Sequence, residues 1–320
     1  MMNLDEDPRA TTYLSDFCKE HYGIVGELTT VVNGLNWTLA VEARDGLKYF
    51  GRVYRVRGRS KADVLAEHSI LGAIVETSFL RVIRPLRSRD GNTALELDFG
   101  TRGRRLFALY PCAPGRPMEY TTHDFRVSGR ALAEVHQQSH LTSLSPDRQL
   151  YDANELTAAL AQIAGHSADG REVSIELSAC LDELRRAGAD HVLLGRGLCH
   201  GDFRVSNIHI DQECAHIFDW DDCGVGPYWG DLAKMGTWLD ILNPPGVLDI
   251  WKNFTGSYGL CSEDRAARLA IRWLVATGTV INAASVLTPE FNLSAETLQV
   301  LFARTIEATK RARDDTLRIG

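Results

Sequence analysis

The chain has 320 residues, 44% of them hydrophobic and 24% charged, with a formal net charge of −7. This is the composition of an ordinary globular protein long enough for two lobes, and its acidic balance argues against a nucleic-acid partner and for a neutral or cationic substrate. Seven cysteines without a CxxC spacing point to a reducing compartment rather than a disulfide framework or zinc site. The acidic start MMNLDEDPRA lacks an apolar signal core and no run of about 18 apolar residues follows, so a cytoplasmic protein with no membrane contact is expected.

Residues 12–21 read as a short helix. Three strand-like runs follow, 27–32, 38–44 and 48–56, and the turn signals Asn33-Gly34 and Asp45-Gly46 between them predict an antiparallel meander. A helix is expected from Lys61, with Val64, Leu65, Ile70 and Leu71 on its apolar side, and then two more strands at 94–99 and 105–110. The arginines at 55, 57, 59, 81, 84, 87 and 89 read as solvated faces, because no aromatic residues interleave with them. The stretch LYPCAPGRP, 109–117, has the Pro/Gly density of a linker. Beyond it the spacing predicts helices over 125–140, 154–164 and 173–187. His136 is read as a structural histidine, and Asp152 and Glu155 as a helix start placed well for the dipole. From Leu232 the pattern is helical again, with segments at 248–254, 263–280 and 295–311 and with Ser262 and Ser294 as N-caps. Trp229, Trp238 and Asp240 are candidate acceptor contacts.

Chemistry concentrates between Leu198 and Asp231. The alternating runs Ile208, His209, Ile210 and Ala215 to Phe218 flank a polar turn and predict a hairpin, with His209 and His216 at exposed positions. Such a hairpin brings Asn207 and Asp219 to the same rim. A hydroxyl acceptor in phosphoryl transfer needs a carboxylate to orient it and take its proton, and a nucleoside triphosphate needs Mg²⁺ held by oxygen ligands. Asp202 is the candidate base, and Asn207 and Asp219 are the candidate metal ligands. Asp221 or Asp222 stands near enough for a second ion. Asp231, at the mouth of the helix carrying Leu232, Met235 and Leu239, is read as a cap or a brace for the loop.

HGDFRVSN resembles the catalytic loop of protein-kinase-like phosphotransferases, the H-R-D-x-x-x-x-N pattern with Gly in place of Arg, as in aminoglycoside phosphotransferases and choline kinases. FDWDD stands where kinases carry D-F-G, and GPYWGDLAKM is similar to the continuation found in this family, in its homoserine-kinase-like and stress-response kinase A branch. The resemblance implies an α+β bilobal fold: an antiparallel-sheet N-terminal lobe over 1–110, a hinge at 111–117 and a larger, mainly helical lobe over 118–320. It implies that Arg52 replaces the kinase lysine on the nucleotide phosphates, that Glu67 is its helix partner, and that the turn in VVNGLNW covers the phosphates. Lys48 shares the strand parity of Arg52 and is its competitor. Arg204 takes the place of a lysine facing the transferred phosphate. At the hinge, Pro111 has no N–H, so adenine is expected to meet the Tyr110 carbonyl and the Cys112 N–H.

The implied activity is transfer of the γ-phosphoryl group of ATP or GTP, with Mg²⁺, to a hydroxyl of a small molecule: an amino alcohol, a hydroxy amino acid or an aminoglycoside-like antibiotic. A protein Ser/Thr kinase, a metal-dependent phosphoesterase and a non-catalytic nucleotide-binding module are the alternatives.

Overall fold

The computed structural model describes residues 8–33, 36–54, 60–144, 148–189, 195–260, 264–288 and 293–319. Gly34 of the expected phosphate-covering turn, the arginines at 55, 57 and 59, Cys261 and the expected cap Ser262 lie outside them. The chain divides into two compact units, residues 1–75 with 81–114, and residues 76–80 with 115–320.

The first unit contains α1 (Pro8–Tyr22), β1 (Gly26–Asn33), β2 (Trp37–Ala43), β3 (Lys48–Val53) and α2 (Lys61–Ala73). The short β4 (Leu80–Val82) crosses the division, and β5 (Leu95–Asp98) and β6 (Arg104–Pro111) complete the unit. The sheet is antiparallel, in the order β1-β2-β3-β6-β5. Alternation decides its two faces. Trp37, Leu39 and Val41 of β2 pack with Val53, Leu97, Phe107 and Leu109 against Leu14, Phe17 and Cys18 of α1, while Tyr54 and Ala108 pack with Val64 of α2. Helix α2 starts at a capping box: Ser60 accepts from the Asp63 amide and the Asp63 carboxylate accepts from the Ser60 amide.

The second unit is mainly helical. After the two-residue β7 (Arg116–Pro117) come α3 (Thr122–His136), α4 (Ala153–His166) and α5 (Ala168–Arg186). Four short strands follow, β8 (Arg196–Cys199), β9 (Ile208–Asp211), β10 (Cys214–Ile217) and β11 (Gly224–Pro227), and then α6 (Trp229–Leu242), α7 (Val247–Tyr258), α8 (Arg265–Ser285) and α9 (Ala295–Arg313). Helices α4, α5, α8 and α9 pack together, α3 packs on α7, and α6 on α8. Among the described residues no helix is long and apolar enough to cross a membrane.

The α+β fold class and the order of elements follow the sequence reading, with two differences at helix ends. The helix expected to run to 140 stops at His136, and a 3-10 turn begins at Ser139. Asp264, not Ser262, caps α8, accepting from the Ala266 and Ala267 amides. The cap at Ser294 is as expected, accepting from the Thr297 amide.

Candidate active site

Two small ladders hold the loop that carries Asp202. Strand β8 feeds into it and pairs with β11, Cys199 opposite Gly224 and Arg196 opposite Pro227. Strand β9 leaves it and pairs with β10, Ile208 opposite Ile217, and the Phe218 amide extends that ladder by donating to the Asn207 carbonyl at 3.1 Å. Asn207 and Asp219 therefore stand at one rim, as the alternating pattern predicts. Asp219 sits in the left-handed region, φ 67°, a conformation that aspartate tolerates better than most residues. One exposed-strand expectation is corrected. His216 is buried, because α3 packs against β10.

The Asp202 carboxylate is clamped. Asn207 Nδ2 donates to two groups of Asp202, the backbone carbonyl at 2.9 Å and the carboxylate Oδ2 at 3.0 Å. This fixes the amide orientation and leaves Asn207 Oδ1 as the outward acceptor, taking one bond from Ser206 Oγ. Arg204 Nε lies 2.8 Å from Oδ2 as an ion pair, and its guanidinium stands over the Trp238 ring, 5.5 Å from the centroid. Lys234 Nζ lies 3.4 Å from Oδ1 and donates to Asn282 Oδ1 at 3.1 Å. Sequence reasoning missed Lys234, since a lysine in a helical run carries no local mark of its partner.

The loop backbone is braced by Asp231. Its buried carboxylate accepts from the His200 amide at 2.7 Å and the Gly201 amide at 2.9 Å, and His136 Nε2 donates to it at 3.0 Å while Nδ1 meets the Tyr258 hydroxyl. Burial alone would push this carboxyl up, but His136 and the His200 amide outweigh it and hold it below the usual range. His200 spans the loop, receiving the Asp202 amide on Nδ1 and donating from Nε2 to the Phe218 carbonyl. Gly201 has φ 83°, and a Cβ there would fall 2.1 Å from the Asp222 carbonyl, so no other residue fits. Cys199 lies beside His136 and Asp231. Burial pushes its thiol up, and it donates to the Pro227 carbonyl, while His136 and Asp231 bond to each other.

Other expectations resolve locally. Asp152 caps α4 and Glu155 accepts from the Tyr151 amide, which is the helix-start reading. Asp240 is not an acceptor contact, because Arg311 and the Arg318 amide saturate its carboxylate. Asp222 leans on Arg148, 3.6 Å away. A cavity of about 440 Å³ opens between α4, α5 and α8, lined by Tyr151, Asp152, Asp182, Arg185 and Trp273 among others, and Asp202 is not part of its wall.

In the first unit, Arg52 faces Thr38 and Ala108 across β3, with its guanidinium carbon 5.9 Å from both the Tyr54 and Tyr110 ring centroids. Glu67 is buried on α2 and accepts from the Tyr110 hydroxyl at 3.3 Å. Lys48, the competitor of Arg52, is instead an exposed partner of Glu42. The expected backbone pair at Tyr110 and Cys112 is not available to a ligand. The Cys112 amide donates to the Lys48 carbonyl at 3.0 Å, and by antiparallel alternation Tyr110, opposite Phe50, is again a ladder-bonded residue.

Residues 33–269 match the model of the family described as "Phosphotransferase enzyme family". The chain belongs to that family. As a member of the phosphotransferase enzyme family, it is a small-molecule kinase, an enzyme that phosphorylates a hydroxyl group. An uncharacterized protein of Deinococcus radiodurans is 30% identical over 256 residues, 78% of this chain and 73% of its own. Solved structures share the fold. A microcompartment-associated aminopropanol kinase superposes with a TM-score of 0.75 at 19% identity, covering 97% of this chain and 100% of its own. An amicoumacin kinase in complex with AMP-PNP, Ca²⁺ and Ami gives 0.69 at 19% identity, covering 91% and 89%. An ethanolamine kinase of Plasmodium vivax gives 0.65 at 13% identity, covering 97% and 91%.

Proposed function

We propose that this kinase moves the γ-phosphoryl group of ATP or GTP to the hydroxyl of an amino alcohol, a hydroxy amino acid or an aminoglycoside-like antibiotic, with Asp202 as general base. The observation that carries the reading is the Asp202 carboxylate, held through Oδ2 by Asn207 and Arg204. That clamp aims a weakly basic oxygen at one spot, which is what orienting a hydroxyl requires. The acceptor O–H loses its proton to Asp202 as the new O–P bond forms and the bond from the γ-phosphorus to the leaving diphosphate breaks. The guanidinium of Arg204, which pairs with Asp202 through Nε, is placed to receive charge developing on the phosphoryl oxygens.

Asn207 Oδ1 and the Asp219 carboxylate are a hard-oxygen donor pair that suits Mg²⁺. When bound, the ion neutralises charge on the triphosphate. In the first unit Arg52 is the proposed phosphate ligand, a fixed cation that serves as a clamp and never as a base, with Glu67 as its helix-borne counter-charge. Residues 111–117 are the proposed hinge. Strand parity moves the adenine edge off the ladder-bonded Tyr110 and Cys112 backbone, toward the Pro111 carbonyl. The acceptor classes draw on the kinases of aminopropanol, ethanolamine and amicoumacin that share the fold.

The test is turnover of γ-labelled ATP and GTP with Mg²⁺ over ethanolamine, aminopropanol, choline, homoserine, an aminoglycoside panel and a protein substrate. Label is expected on one small alcohol and lost in Asp202→Ala. Label on protein alone would replace the acceptor class, and phosphate release from a nucleotide-free ester would replace the reaction.

A further inference from the structure

One face of α6 reads the whole catalytic loop. Asp231, Lys234 and Trp238 are spaced i, i+3 and i+7, so they form a stripe along the helix. Each touches the loop at a successive point. Asp231 receives the amides of His200 and Gly201, Lys234 meets the side chain of Asp202, and Trp238 lies under the guanidinium of Arg204. The helix thus engages backbone, base and phosphate-facing cation in one register.

Within that stripe Lys234 has the least ordinary position. Its side chain is 14% exposed, and a lysine that deep is held for a reason: the flexible four-carbon stem is costly to order unless the ammonium is anchored at its end. The anchor comes from α8, where Asn282 Oδ1 accepts from Nζ. Asn207 and Arg204 both act on Oδ2 of Asp202, at 3.0 and 2.8 Å, while Lys234 approaches Oδ1. At 3.4 Å the contact is looser than the clamp on Oδ2. It sets the plane of the carboxylate while keeping a lone pair of Oδ1 for another donor.

We propose that Lys234, tethered by Asn282, is a positioning residue that fixes the plane of the Asp202 carboxylate and presents Oδ1 to the acceptor hydroxyl. This rests on the reading of Asp202 as the base. Lys234 acts through Asp202, so its loss slows the chemical step and spares nucleotide affinity.

The experiment is a set of single and double variants assayed for MgATP turnover, with the alcohol found in the acceptor panel and with water alone, beside the Kd for MgATP and the melting temperature. In Lys234→Met kcat is expected to fall by about tenfold to a hundredfold, with Kd for MgATP within about twofold. Lys234→Arg should recover most of the loss, as a merely space-filling role would not require. Asn282→Ala keeps the charge, removes the tether and should give a smaller fall, and adding it to Lys234→Met should cost nothing more. In an Asp202→Ala background Lys234→Met should have no further effect. Full turnover in folded Lys234→Met, a loss of affinity matching the loss of kcat, or multiplying effects of Lys234 and Asp202 would each overturn the proposal. If Asp202→Ala itself keeps full turnover, the base assignment fails and the proposal falls with it. If only Lys234→Met does, the positioning role fails alone.

Discussion

His68 is a buried imidazole in the first unit, bonded to Thr93 through Nδ1 and to the Tyr110 hydroxyl through Nε2. Burial, and the charge of Arg52 after it, lowers its pKa from 6.5 to about 4. Below pH 6.5 the unfolded chain therefore binds a proton that the folded chain refuses, so stability is complete above that value and drains away as pH falls toward 4. The full shift corresponds to an upper limit of about 3 kcal/mol. Urea midpoints of the wild type should decline over this window, and those of His68→Gln should decline less. A second outcome belongs to Gly201. In Gly201→Ala the new Cβ meets the Asp222 carbonyl at a positive φ, and the loop must shift by enough to misplace Asp202. A loss of turnover of about a hundredfold or more is expected, measured as phosphate transfer in folded protein. At this scale the sequence was most legible where spacing decides placement: Asn207 meets Asp202 across the loop, and Asn207 and Asp219 stand at one rim of the hairpin. It was least legible for Lys234 and for the Cys112 amide. The partner of Lys234 is thirty-two positions away, and the Cys112 amide turns on which edge of β6 faces β3, a parity that no single residue displays.

Helix α2 carries Glu67 and depends on its start. Ser60→Ala removes one side of the capping box and should cost about 1 kcal/mol, seen as a lower urea midpoint at unchanged slope. Helices α5 and α9, with a clear apolar period, were visible from residue spacing, whereas Leu65, read on the apolar side of α2, is exposed; the β9–β10 hairpin was visible because its strands alternate and a short polar turn joins them. The β8–β11 pair was not. RGLC and GVGP are too short to alternate, and the partners are separated by the whole loop they enclose, so only the folded chain brings them together. The end of α3 was also misjudged. Gln138, Leu141 and the residues between them turn in a tighter pattern, which helical spacing in the sequence does not distinguish from continuation.

For the whole molecule, a ligand that binds only the folded state stabilises it by mass action, by about 2.7 kcal/mol at a hundredfold excess over Kd. MgATP should raise the melting temperature, and chelation of Mg²⁺ should cancel most of the rise. Asp219→Asn should blunt the Mg²⁺-dependent part, whereas Asp202→Ala should keep it, because the base is not asked to hold the nucleotide. A thermal-shift titration with and without a chelator separates these cases. The brace at Asp231 has a bearing on synthesis as well. It receives His200 and Gly201 from thirty-one and thirty residues upstream, and His136 from ninety-five. A nascent chain that has emerged as far as Asp219 already carries Asp202, Asn207 and Asp219, yet the carboxylate that braces the His200 and Gly201 backbone is still inside the ribosome. Domains fold as units as they emerge, so this brace on the loop forms only after α6 has cleared the exit.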